Sequence, residues 1–575
     1  MVVGGLVVVV AVVGVIGALH AVRLDHRLQT LTADLQVAQN DAESGRLGRA
    51  QGELAAVQVN LTSVNSTLYS SPDFTTLNLV PIARQNLQAV RSAVGLGLQL
   101  VGGGQQIFNA AAPLETPAGH LDVSLKGGQI PLSAVQNVQA AVSTVASGLP
   151  TSPTPPQGIF VIKQVRTAED RVWAEAARRR SELTSVGAGL TMLKAIAGGN
   201  GDSRYLIAVA NTAEMRGAGG MILSYGVLTS SGGKVSLGNF GPIDELALKH
   251  PAPVGFPADF TKSFGALQPN LFWRNATIMS DFTVDAPVLE AMYTQATGLP
   301  VNGVFQVDPA GLAAVLAGTG PIAVPGLGQV DAANVVALTL NQAYVNFPDR
   351  PIRQEYLTGV ARSAFAQLTS GTLPSLRPLG TALVQAAQQR HIILSFTNPE
   401  TQETVRTLGF DGSLPGPGTN FAQLTVQNFG GDKMDYYLTS ALTVHRKPVD
   451  KSPRQISVDV DLANTAPPKG KPPYIFGPLT DTHDAPGEYR GLVTVYLPPS
   501  SFLAGSQPDA ATTTTPLPGT QNNKAAITFA VAIPPGGQSH VTLNVVLPPD
   551  TRPTSRFVLV PSPRVNPTTL RVTRS

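Results

Sequence analysis

Asn211, Glu214 and Arg216 stand together in a glycine-bounded polar turn, Asn211-Thr-Ala-Glu-Met-Arg-Gly-Ala-Gly-Gly220, with Arg204 a few residues upstream. A guanidinium presents a planar fork of donors matched to phosphate or carboxylate, and a neighbouring carboxylate serves as a base or a metal ligand. Gly217, Gly219 and Gly220 would let backbone approach a ligand closely. The alternative is a tight loop with a surface arginine. A second polar run, Tyr344-Val-Asn-Phe-Pro-Asp-Arg-Pro-Ile-Arg-Gln354, sets Asp349, Arg350, Arg353 and Gln354 at a helix start, where unpaired N–H groups add donors. Together the two runs describe an anion site. In it Arg204, Asn211, Arg216, Arg350, Arg353 and Gln354 would supply the donors.

The elements that must position these groups are strands alternating with helices. Tyr205 to Ala210 and Met221 to Thr229 are short apolar runs suited to buried strands, and Ser230-Ser-Gly-Gly233 turns the chain into a third strand, Val235 to Phe240. Asp285 to Gly298 reads as a helix, Gly303 to Val307 as a strand, and Asp308-Pro309 opens a helix to about Leu316. Helices over Asp331 to Ala343 and Arg353 to Leu368 complete an α/β domain over residues 201–395, a mixed sheet with flanking helices. Past Phe396 alternating runs predict an all-β, immunoglobulin-like sandwich over 396–575, with Ala466 to Pro473 and Ser506 to Asn523 as loops or lids.

Val2 to Val22 holds no Lys, Arg, Asp or Glu and is long enough to cross a bilayer as a helix. It lacks the positive start and small-residue cleavage site of a signal peptide, so residues 1–23 are expected to be a transmembrane helix. The expectation is a single-pass cell-membrane protein with the bulk of the chain extracytoplasmic and the lipid bilayer as a partner. Residues 24–200 read as a helical stalk region with a Pro-rich linker near 150–158. Arg178 to Arg180 on its last helix could meet lipid head groups, but a solvated face is the commoner role of such a run.

Composition removes several function classes. The absence of cysteine excludes disulfides, thiolate metal sites and cysteine nucleophiles, and the eight scattered histidines show no metal-ligand spacing. A formal net charge of +3 with thinly spread Lys and Arg gives no basic stripe, so nucleic acid is not an expected partner. Ser231-Gly-Gly-Lys234 fits Ser-x-x-Lys but lies on a hairpin turn. Asp281 and Asp285 read as acids at a helix N-terminus, and Tyr436, Tyr437 and Tyr496 as strand core rather than a carbohydrate grip.

The run Arg204-Tyr-Leu, Asn211, Glu214-Met-Arg216, Gly219-Gly220 and Tyr225, with Gly303-Val-Phe-Gln-Val-Asp308, Lys433-Met-Asp-Tyr-Tyr437 and Val495-Tyr-Leu-Pro498, resembles the DUF4012 family of bacterial membrane-anchored proteins. The α/β part is also similar in layout to the LytR-CpsA-Psr phosphotransferases, which move polyprenyl-pyrophosphate-linked glycopolymers onto peptidoglycan outside the membrane. That resemblance implies a cell-envelope protein working on such a polymer, with Glu214 and Arg216 in the opening acidic/Arg loop and Asp349, Arg350, Arg353 and Gln354 in the later Asp-Arg-Arg-Gln region. As an enzyme it would hold the pyrophosphate on Arg216, Arg350 and Arg353 with Mg²⁺, and Glu214 or Asp349 would hold the metal or act as base. Pro242-Ile-Asp244 lacks the arginine of the family's Pro-Arg-Asp, and Asn341 to Tyr344 lacks its Arg-x-Arg pair. Two readings stay open: a phosphotransferase-like enzyme, or a non-catalytic envelope protein that binds or scaffolds.

Overall fold

The computed structural model describes residues 37–38, 40–41, 46–114, 126–155, 160–324, 328–370, 376–446, 454–468, 472–477, 485–549 and 556–574. The expected anchor at Val2 to Val22 lies outside the described residues, and no described helix is long and apolar enough to cross a membrane. The chain divides into two compact units, residues 1–124 with 130–200 and residues 125–129 with 201–575.

The first unit is helical: α1 (Leu47–Ser70), α2 (Pro81–Ala111), α3 (Leu132–Gly148) and α4 (Lys163–Ile196). Pro81 opens α2, where its fixed φ suits a helix and its missing N–H is not needed. Val90, Val94 and Val101 of α2 recur at helical spacing and share one core with Val57 and Leu61 of α1, Val142 and Val145 of α3, and Val172 and Ala176 of α4. The region expected as a stalk is therefore a packed helix bundle. The arginine run is also not a plain solvated face. Arg179 is buried between Glu175 at 2.8 Å and Glu182 at 2.7 Å, and Arg180 reaches the C-terminal carbonyls of α3, donating from Nη1 to Ala146 O at 3.0 Å and Leu149 O at 2.5 Å. Among the described residues Ala146 O otherwise accepts only the cap bond from Leu149 N at 3.2 Å and Leu149 lies past the helix end, so a cation there both donates and complements the helix dipole. Arg180→Ala is expected to lower the unfolding free energy of the bundle by about 1.5–3 kcal/mol, measured by denaturant titration. An unchanged midpoint would remove the capping role.

The second unit opens with β1 (Ser203–Asn211), β2 (Met221–Ser231), β3 (Lys234–Pro242) and β4 (Gly303–Val307), followed by a short hairpin of β5 (Ile322–Val324) and β6 (Gly328–Val330), then β7 (Ile392–Phe396). The five-stranded sheet has the order β3-β2-β1-β4-β7. Only β1 and β4 run parallel in it, so the sheet is mixed. Its helices are α5 (Phe282–Thr297), α6 (Pro309–Thr319), α7 (Arg350–Ser370), α8 (Leu376–Gln388) and α9 (Pro399–Leu408). Successive strand side chains point to opposite faces. Leu206, Ala208 and Ala210 of β1 accordingly pack with Val288, Leu289 and Met292 of α5, while Ile207, Val209 and Asn211 face the other way. Asp281 caps α5 and Gly298 ends it at φ 74°. The helix expected over Asp331 to Ala343 runs over Val335–Ala337, a π-turn at Leu338–Gln342 and Ala343–Asn346 with helical backbone at each junction.

The remaining strands are β8 (Phe421–Asn428), β9 (Leu438–Arg446), β10 (Gln455–Asn464), β11 (Tyr489–Leu497), β12 (Phe502–Gln507), β13 (Leu517–Gln521), β14 (Lys524–Ile533), β15 (Gln538–Val546), β16 (Val558–Val560) and β17 (Thr569–Arg574). They form two sheets, β12-β15-β10-β9-β17 and β13-β14-β11-β8-β16, whose inward residues Leu442, Val458, Val493 and Phe529 belong to one core. The expected lid over Ser506 to Asn523 contains β13, whose Pro518 is tolerated because the strand lies at a sheet edge. Met215, from the polar turn after β1, is buried in this same core.

Candidate functional site

The turn after β1 is built into the protein rather than held out to solvent. Met215 N donates to Asp435 Oδ2 at 3.0 Å, and Asn428 N donates to Met215 O at 3.0 Å, which ties the turn to the end of β8 and the short 3-10 turn Met434–Tyr437. The glycines serve this packing and not a ligand. A Cβ on Gly217 would lie 2.3 Å from Ile278 O, and one on Gly220, at φ 142°, would lie 2.3 Å from Asn211 O.

Arg216 is buried, and its Nη1 donates to the Met215 and Asn428 carbonyls, both at 2.9 Å. Burial lowers its pKa to about 10, against the opposing pull of Glu214 and Asp435. An arginine so placed holds the turn to β8 through Nη1, while its buried Nε has no protein partner among the described residues. Glu214 is also buried, and its Oε2 lies 3.1 Å from Nζ of Lys433, a fully buried lysine the sequence reading did not assign to the site. The contact is an ion pair without hydrogen-bond alignment, since both atoms lack a properly directed partner. Burial pushes the Lys433 pKa down, yet Glu214 prevails and holds the ammonium above its ordinary range.

Around that pair the structure gathers Asn211, Tyr344, Tyr474 and Arg353. Asn211 Nδ2 donates to the Tyr344 hydroxyl at 3.2 Å. Tyr344 and Tyr474 stack with ring centroids 5.5 Å apart. Lys433 Nζ sits 3.9 Å from the Tyr344 centroid and the Arg353 guanidinium 4.9 Å from it, so two cations share one aromatic pair. Arg353 Nη1 donates to Phe347 O at 2.8 Å and Pro348 O at 3.1 Å.

The other expected residues lie elsewhere. Arg204 is seven residues before Asn211 on β1, about 23 Å at ~3.3 Å per residue, and its side chain belongs to the opposite face of the sheet. Its Nη1 donates to Pro300 O at 3.3 Å. Arg350 is exposed and pairs with exposed Asp244, a contact of little energetic weight. Asp349 caps α7, accepting from Ile352 N at 3.2 Å, and Gln354 is half-buried on its first turn. The expected Mg²⁺ donors do not fit a cation: Glu214 already faces an ammonium, Asp349 is committed as a cap, and no group of three or more His, Asp or Glu among the described residues could hold a metal.

What the structure does supply is a cavity of about 290 Å³ between the sheet and its helices. Ile207, Val209, Leu237 and Val307 form its floor, Leu312 and Val315 of α6 and Leu340 of the π-turn one wall, and Leu357, Val360 and Phe365 of α7 the other. The polar lining groups Asn211, Ser224, Asp308, Thr339 and Tyr344 include the ends of β1 and β4. Ligands of α/β sheets commonly bind at that carboxyl edge, and π-turns recur at functional sites.

Asp308 is shared. Its Oδ1 accepts from Gly311 N at 2.8 Å, capping α6, and its Oδ2 lies 2.7 Å from His391 Nδ1. Burial pushes the His391 pKa down, but the Asp308 carboxylate outweighs it and leaves the imidazole above 6.5. A raised folded-state pKa contributes stability that is full below 6.5 and is lost as pH rises through the folded value. Wild type should therefore lose stability as pH is raised through that value, whereas His391→Asn should flatten that part of the curve. Parallel pH curves for the two proteins would contradict the pairing.

Residues 200–344 match the family model described as Protein of unknown function (DUF4012). The DUF4012 segment thus carries β1 to β4, the buried turn with Asn211, Glu214 and Arg216, the π-turn and Tyr344. Lys433, Tyr474, Arg353 and His391 complete the site from outside it. Comparison with curated proteins and with solved structures gives no match.

Proposed function

We propose that this is a cell-envelope protein whose DUF4012 α/β domain binds the hydrocarbon chain of a polyprenyl-phosphate or -pyrophosphate carrier, without performing transfer chemistry. The observation that carries the reading is the cavity. It is apolar through its depth and polar near the strand ends, as an amphiphile requires, and its 290 Å³ sits at the lower edge of the ~300–1,000 Å³ of small-molecule sites, which suits one chain. Arg353, its guanidinium 4.9 Å from the ring of Tyr344, is the cation nearest the polar end of the cavity, while Lys433 on the same ring is fully buried. Because Glu214 neutralises Lys433, only one net positive charge remains there, too little to clamp a reacting pyrophosphate unaided. In this reading Val2 to Val22 anchors the chain in the membrane with the bulk outside, and the β-rich region is an immunoglobulin-like sandwich.

The second reading, phosphotransferase-like transfer of the glycopolymer to peptidoglycan, is favoured by Arg353 at the polar end of the cavity and by the layout shared with the LytR-CpsA-Psr enzymes. Incubating the full chain with a polyprenyl-pyrophosphate saccharide and a peptidoglycan acceptor separates the two. Saturable chain binding with no polyprenyl phosphate released supports the binding reading. Release that Arg353→Ala abolishes would replace it with the enzymatic one.

A further inference from the structure

The sheet carries a second cavity, of about 350 Å³, on the face and at the strand ends away from the chain cavity. All nine of its lining residues are polar or charged, the reverse of the chain cavity. Arg204 of β1 stands opposite Thr229 of β2, and Thr229 opposite Ser236 of β3, so the three share one face. One step nearer the hairpin, Ser231 stands opposite Lys234, and Asp202 and Asn302 close the rim. The hydroxyls of Thr229, Ser231 and Ser236 make no hydrogen bond within the described residues. Arg204 donates from Nη1 to Pro300 O, leaving the rest of its fork, and Lys234 spends one of its three N–H groups on Gly127 O.

We infer that this cleft binds an anionic saccharide, with the acid group held by Arg204 and Lys234 and the sugar hydroxyls met by Asp202, Thr229, Ser236 and Asn302. Two cations against one carboxylate leave a net positive site, and the guanidinium fork suits phosphate or carboxylate. Free hydroxyls, an amide and a carboxylate supply donors and acceptors for a polyhydroxylated ligand. No aromatic or aliphatic side chain lines the cleft, which disfavours a nucleobase or a lipid. The inference accounts for Arg204, which the chain cavity does not use, and for Ser231 and Lys234, whose Ser-x-x-Lys spacing then reflects two residues facing one cleft across a hairpin.

The test is calorimetric titration of the full chain with glucose 1-phosphate, glucuronate and glucose. Saturation by either anionic sugar, with none by glucose, supports the inference, and the better of the two identifies the acid. Arg204→Ala and Lys234→Ala should each weaken binding by about tenfold or more, ~1.4 kcal/mol, and salt should weaken it in wild type. Thr229→Val, which keeps shape and loses one hydroxyl, should weaken it less. No saturation by either anionic sugar, or equal affinity in Arg204→Ala of unchanged melting temperature, overturns the inference. The cleft shares no lining residue with the chain cavity, so saccharide binding and chain binding fail separately.

Discussion

Replacing Ala361 by Trp is expected to remove binding of a polyprenyl or acyl chain while the protein stays folded. Ala361 lines the cavity from α7, opposite the floor formed by Ile207 and Val209, so an indole there occupies the path of the chain. Each methylene that loses its apolar contact costs about 0.8 kcal/mol, so excluding three or four lowers affinity by roughly two orders of magnitude. Ala361→Leu should give an intermediate loss, larger for long chains than for short. The insertion itself costs about 1–3 kcal/mol if the site is already filled by protein, and less if it is open. A stable Ala361→Trp protein that binds chains as wild type does would mean that the cavity is not the chain site.

Lys433→Met is expected to be the most destabilising single change in the second unit. Lys433 is fully buried, and its removal leaves the Glu214 carboxylate buried with no ammonium at its Oε2, beside Tyr344, Met215 and the strand core. Breaking a buried pair in this way costs about 3–5 kcal/mol, against a total stability of about 5–15 kcal/mol. The double variant Lys433→Met with Glu214→Leu should recover most of the loss, because two apolar side chains replace the pair at similar volume. Denaturant unfolding of the single and double variants measures the coupling directly. Additive losses would mean that the pair does not couple the DUF4012 turn to the β-rich region.

The strands of the α/β sheet were legible because apolar runs bounded by glycine have a strong local signature. Gly303 to Val307 and the Ser230 to Gly233 hairpin lie where periodicity and turn chemistry put them. The π-turn was not legible, since its 338–342 segment keeps helical residues and only its packing over the cavity distinguishes it. The edge strand β13 was hidden by Pro518, and the C-terminal β16 and β17 are too short or too polar to stand out. For the site, the polar turn is visible in the sequence but its burial is not. Charge density and glycine pointed to a ligand, while Lys433, 219 residues after Glu214, turns those groups into an interior network. Long-range pairing of this kind leaves no mark in local spacing. The one hint was Lys433 heading the Lys-Met-Asp-Tyr-Tyr run, a charge beside residues that suit a core.

In the binding reading a hydrocarbon chain lies between the sheet and α7. Photo-crosslinking with a farnesyl phosphate bearing a terminal diazirine, followed by peptide mapping, tests it most directly. Labels on β1, β3 or α7 around Val209, Leu237, Val360 and Phe365, suppressed by excess unlabelled chain, are the expected result. Labels confined to exposed surface residues, or insensitive to competitor, would contradict it.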